Sequence, residues 1–163
     1  MSYLKISFGI FVTLAVSRLI PHPPNFTSLI ALSFYVPVFF GLRFIPVIIG
    51  SFLITDIFLG FHNLQVFTWG SVFVIGYISQ FFIKNFMNRI SGALLGAIIF
   101  FIISNFGVFA LGSYGYTFKG LISCYILAIP FFTNTILSTF IFSFLIEAVY
   151  KIFHLEKKLN FLK

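Results

Sequence analysis

The sequence predicts an all-α membrane protein, a compact bundle of six transmembrane helices, and three observations carry that expectation. Of its 163 residues, 60% are hydrophobic and only 8% charged, against about a quarter charged in a soluble domain. The mean hydropathy of +1.12 is more apolar surface than a core of this size can hide from water. The apolar residues also fall into runs close to the ~20 residues that a bilayer core asks of a helix.

Tyr3–Ile20, Thr27–Leu42, Ile45–Phe61, Val66–Ile83 and Ile90–Leu111 read as five successive spans. The second is short and carries Pro37, which leaves its ends the least defined. The last run, Thr117–Phe153, is too long for one span and Pro130 divides it. Proline removes a helix hydrogen bond and disfavours helix in the residue before it. Residues 117–129 therefore read as a short extra helix on the outer side, and Pro130–Phe153 as the sixth span. With no linker, repeat or low-complexity segment, residues 1–163 read as a single transmembrane domain.

Lys and Arg set the expected orientation. With the N-terminus inside, the cytoplasmic side receives Lys5, Arg43, Lys84, Arg89, Lys151, Lys157, Lys158 and Lys163, and the outer side only Arg18 and Lys119. That bias follows the positive-inside pattern and predicts both termini in the cytoplasm. Ala15-Val16-Ser17 ahead of Arg18 fits a signal-peptidase site, but an uncleaved first span is the preferred reading.

The net charge of +7 is not a nucleic-acid signal, because the basic residues sit between apolar runs instead of forming a stripe with exposed aromatics. The single cysteine, Cys124, excludes an internal disulfide and a cysteine zinc cage, and reads as a small apolar filler. No glycine loop with its lysine is present to cradle phosphates, so any energy for transport must come from elsewhere. His22, Asp56 and His62 come from separate segments without metal-ligand spacing. Neither a metal nor another cofactor is expected.

Polar side chains are costly at membrane depth and usually face a bundle interior or cavity. Those of this chain gather at one depth. Arg18 ends the first span, and His22 and Asn25 follow in the proline-rich turn "PHPPN". Asp56 lies near the outer end of the third span, with His62 and Asn63 just beyond. Ser104 and Asn105 lie in the outer third of the fifth, and Asn134 about one turn into the sixth. The expected substrate-binding set is Arg18, His22, Asn25, Asp56, His62, Asn63, Asn105 and Asn134, placed over an apolar plug. Asn25, Thr27 or Ser28 is expected to cap the second helix. Arg18 and Asp56 also read as a buried ion pair. Small residues at Gly9, Thr13 and Ser17, and at Ser91-Gly92-Ala93 and Leu95-Gly96-Ala97, read as close-packing faces inside the bundle.

The stretches "RLIPHPPNFTSLIA", "LITDIFLGFHN", "SNFGVF" and "GLISCYILAIPFFTNT" resemble, in order, the motifs of a family of uncharacterised bacterial integral membrane proteins. That family is similar in turn to the substrate-binding S components of energy-coupling factor (ECF) transporters. The resemblance implies a six-span subunit in the bacterial inner membrane that captures a small solute from outside, with an energising membrane subunit and its ATPases as partner. S components carry an alanine pattern on the first span for docking, where this chain has Gly9, Thr13 and Ser17.

The leading expectation is thus a membrane solute-binding or uptake subunit whose partners are the lipid bilayer and a small polar solute, not nucleic acid. The alternative is a structural or assembly subunit without a small-molecule substrate. No span offers a nucleophile motif, and an enzyme is not expected.

Overall fold

The computed structural model describes residues 3–160, with side chains through Phe153. The readings of Lys157, Lys158 and Lys163 lie outside the described side chains. Among the described residues there are seven α-helices and no strand: α1 (Tyr3–Leu19), α2 (Leu29–Phe40), α3 (Ile45–Leu59), α4 (Gln65–Ile78), α5 (Phe86–Ala110), α6 (Phe118–Leu127) and α7 (Ile129–Asn160). A 3₁₀ turn, Leu42–Phe44, leads into α3, and another, Ser79–Phe81, follows α4.

Three stretches are long and apolar enough to cross a membrane: Leu42–Leu59, Phe86–Ala110 and Ile129–Phe153. The second expected span contracts to the 12 residues of α2, a rise of ~18 Å against a hydrocarbon core of ~30 Å. Its burial explains its composition. Every residue from Leu29 to Pro37 is buried, and α2 packs on α1, α3, α4, α5 and α7. A helix hydrophobic on all faces is the centre of the bundle here, with protein around it instead of lipid. Pro37 does not break it; the Pro37 carbonyl accepts from Gln80 Nε2 at 3.1 Å and from the Gly41 amide at 2.9 Å.

The predicted break at Pro130 falls between α6 and α7. Thr117 caps α6, its side chain accepting from the Gly120 amide. The expected cap on α2 takes another form. Ser28 occupies the cap position without a side-chain cap bond, because its hydroxyl lies 2.7 Å from Ser17 Oγ and ties α1 to α2.

α2 and α7 run in the same direction: Ser138 Oγ donates to the Asn25 carbonyl at 3.5 Å, and the Phe39 and Tyr150 rings stack at 4.4 Å. Contacts of this kind give the bundle two distinct ends. Lys5, Arg43, Arg89 and Lys151 belong to the Phe39–Tyr150 end, the end away from Arg18.

The two small-residue faces part company. On α5, Gly92, Ala93, Gly96 and Ala97 are buried. A Cβ on Gly92 would lie 2.6 Å from Phe34 and Phe82, so the close approach there requires glycine. On α1, a Cβ on Gly9 would meet nothing within 4 Å, and Gly9 and Thr13 are exposed. They border an apolar groove between α1 and α7. The expectation of internal packing is corrected at Gly9 and Thr13 of α1, a helix that leans chiefly on α3, and holds at Ser17, which meets Ser28.

Candidate functional site

The turn after α1 is built by proline. The Phe26 amide donates to the Pro23 carbonyl at 3.0 Å, closing a turn with Pro24 and Asn25 at its centre. Asn25 is at φ 62°, and it is the only non-glycine residue at positive φ among the described residues. Proline followed by an asparagine in the left-handed region is the pattern a type II turn demands. His22 stiffens the turn further, its ring nitrogens facing the Pro23 carbonyl at 2.7 Å and the Arg18 carbonyl at 3.3 Å. A neutral imidazole donates to only one of them at a time. From α7, Asn134 Nδ2 donates to the Pro24 carbonyl at 3.0 Å and fixes the turn to the bundle.

Below the turn lies a chamber of about 420 Å³, joined through shared walls to a smaller one of about 190 Å³. Asn25, His62, Thr68, Phe100 and Thr135 line both. Ser104, Asn105 and Tyr114 add polar groups to the larger, and Phe101, Phe131 and Phe132 add aromatic faces, with Phe101 and Phe132 stacked at 4.4 Å. Arg18, His22 and Thr27 border the smaller. The volume falls within the ~300–1,000 Å³ typical of small-ligand sites. Its surface is mainly apolar with a few convergent hydrogen-bonding groups, as such sites usually are.

Arg18 and Asp56 form the ion pair that the sequence suggests, Nη1 to Oδ1 at 2.7 Å. This contact is electrostatic, off the axis of a hydrogen bond. The carboxylate is fully buried and also accepts from Trp69 Nε1 at 3.0 Å through Oδ2. Arg18 Nη1 donates in addition to Thr55 Oγ1 and to the Phe52 carbonyl, and its guanidinium lies 4.3 Å above the Phe52 ring. An isolated charge here would cost several kcal/mol, so Asp56 serves to hold Arg18. Arg18 then borders the smaller chamber as its single charged side chain.

Of the eight expected residues, Arg18, His22, Asn25, His62 and Asn105 reach the chambers. Asp56 stands behind Arg18, Asn134 braces the turn, and Asn63 is exposed and lines neither chamber. Cys124 is buried in the chamber wall. Thr68, Thr135 and the aromatic side chains escaped the sequence reading. In a chain with 27 phenylalanines, four of them at a cavity carry no sequence signal. Thr135 was the legible one, next to Asn134 and one helical position deeper.

The interior beyond the chamber is largely apolar, with Leu14, Ile30, Phe34, Ile48, Val72 and Ile75 in one buried cluster, but polar groups on α7 interrupt it. At the other end of the bundle Glu147 accepts from Arg89 Nε at 2.5 Å and from Arg89 Nη2 at 2.7 Å, in a second buried ion pair. Tyr35, Thr139 and Ser143 lie buried between the two ends. The periodicity was readable, since Thr135, Thr139, Ser143 and Glu147 recur every four residues on α7. Among the described residues, no three His, Cys, Asp or Glu side chains are grouped to hold a metal ion.

No curated protein and no solved structure matches this chain. A family profile does match, over residues 2–161, and by that match the chain belongs to the family of unknown function DUF6580.

Proposed function

We propose that this chain is a solute-binding or uptake subunit of a bacterial inner membrane, similar to the S components of ECF transporters, that captures a small polar solute in an outward-facing pocket. The observation that carries the reading is the chamber itself. The proline-rich turn, the α3–α4 loop, α4, α5, the α5–α6 loop, α6 and α7 all bring side chains to one cavity. In this reading the chain crosses the membrane six times with both termini inside, α2 and the turn before it completing one crossing. The basic residues at the Phe39–Tyr150 end then face the cytoplasm, as the positive-inside pattern asks.

The lining narrows the solute class. Because Asp56 is sealed against Arg18 and Trp69, the walls offer hydroxyls, amides, an imidazole and aromatic faces. They suit a compact solute with a flat apolar face and hydrogen-bonding edges, aided by Arg18 where it carries a partial negative charge. An energising membrane subunit with ATPases, or an ion gradient, supplies the work.

Native mass spectrometry of the detergent-purified protein tests this. The expected result is a small-molecule adduct that His62→Leu and Ser104→Leu each reduce at least tenfold while thermal unfolding is unchanged. Adduct-free wild-type protein, or an adduct indifferent to both substitutions, overturns the reading.

The sealed Asp56 carboxylate and the open groove beside Gly9 favour a second reading, a structural or assembly subunit with the groove against another membrane helix. Crosslinking from Thr13→Cys in native membranes to one defined membrane protein, without any small-molecule adduct, would select it.

A further inference from the structure

Arg89 and Arg18 use different edges of their guanidinium groups. Arg89 grips Glu147 through Nε and Nη2, at 2.5 and 2.7 Å. Arg18 makes its ion pair and all of its hydrogen bonds through Nη1, to Asp56, Thr55 Oγ1 and the Phe52 carbonyl. Among the described residues, Nε and Nη2 of Arg18 donate to no protein group. Those two nitrogens form the fork that matches the two oxygens of a carboxylate. The Arg18 side chain is 13% exposed and borders the smaller chamber, where it is the single charged group.

Other unspent donors share that chamber. The Asn25 amide and the His62 ring line it and make no side-chain hydrogen bond among the described residues. Thr27 Oγ1 accepts from the Leu29 amide at 3.4 Å and keeps its own hydrogen. α2 begins here, with Leu29 and Ile30 in the wall, and the partial positive charge of a helix start adds to that of the guanidinium. The larger chamber differs. The hydroxyls of Ser104 and Thr135 and one amide hydrogen of Asn105 are given to carbonyls one turn back, which leaves chiefly lone pairs and aromatic faces. Asp56 is fully buried, is held by Trp69 as well as Arg18, and lines neither chamber. We propose that the solute is a carboxylate anion, its two oxygens held by Nε and Nη2 of Arg18 in the smaller chamber and its flat apolar part against the aromatic faces of the larger. This assignment rests on the uptake reading and names the class of its solute.

Isothermal titration calorimetry of the detergent-purified protein compares benzoate with benzamide, which share a shape and differ in charge. The wild-type protein is expected to bind benzoate about tenfold more tightly or better. Arg18→Lys keeps a cation for Asp56 but has no second edge, and is expected to lose that preference. Should it fail to fold, Arg18→Gln with Asp56→Asn supplies an uncharged pair that keeps an acceptor for Trp69, with the same loss expected. Equal binding of the two probes, or a preference for benzoate that survives both variants, overturns the assignment. So does binding of neither at millimolar concentration, since benzoate is smaller than the chamber. Displacement of benzoate by inorganic phosphate at equal concentration refutes it in favour of a phosphate or a lipid headgroup. The uptake reading is judged separately, by the native adduct. An uncharged adduct that His62→Leu and Ser104→Leu remove keeps uptake and loses only the carboxylate.

Discussion

The two ends of the bundle solve the same problem differently. Each buries an arginine against a carboxylate, Arg18 with Asp56 at one end and Arg89 with Glu147 at the other. At the Arg89 end the pair is bidentate and planar, stacked beside aromatic rings, with every carboxylate oxygen engaged. Such a fork–fork pair is among the strongest charge-assisted contacts a side chain makes. At the Arg18 end the carboxylate is divided between the guanidinium and an indole, and the contacts of Arg18 run through one nitrogen, beside a cavity. One arrangement closes the bundle. The other positions a cation at the edge of open space.

That contrast can be broken at its strongest point first. Glu147→Ala leaves the Arg89 guanidinium buried without its partner and is expected to destabilise the protein by about 3–5 kcal/mol. The double substitution Arg89→Met with Glu147→Leu restores most of the loss, since two apolar groups of similar volume need no compensation. Thermal unfolding in detergent checks both; a single variant as stable as wild type would show that Arg89 reaches water.

The small-residue faces sharpen the same lesson at lower energy. Gly92→Ala forces a methyl against Phe34 and Phe82 and is expected to cost about 1–3 kcal/mol. Gly9→Ala enters open space and is expected to be neutral or to stabilise by up to about 1 kcal/mol, through helix propensity. Equal effects at the two sites, read by the same melts, would mean that something packs against Gly9.

The smallest expected effect concerns the turn. Asn134→Ala removes one hydrogen bond to the Pro24 carbonyl and is expected to destabilise by about 1 kcal/mol, while speeding proteolysis within residues 21–26. Unchanged cleavage would show that prolines alone hold the turn.

Much of this architecture was legible because hydrophobic runs and proline act locally. The ends of α1, α3 and α6, and the break before Pro130, follow from where apolar periodicity stops and where a backbone amide is missing. The Arg18–Asp56 pair was legible as well, because two opposite charges at one depth in an apolar chain have few other ways to be accommodated. The Arg89–Glu147 pair was not. Arg89 lies among flanking basic residues whose ordinary role is orientation, and only packing of α5 against α7 reveals that it turns inward.

The sequence alone determined that this protein is a bundle of apolar helices, since a chain with 8% charge must satisfy its backbone away from water, and apolar runs this long and continuous do so within a helix and not as the alternating strands of a barrel. It also determined that ionisable side chains must find one another. Tertiary structure decided which helix is central, which small-residue face is filled, and that the polar stripe of α7 faces α2. Those depend on the rotation of each helix about its axis. Four-residue spacing places side chains on one face of a helix but does not say which neighbour that face meets.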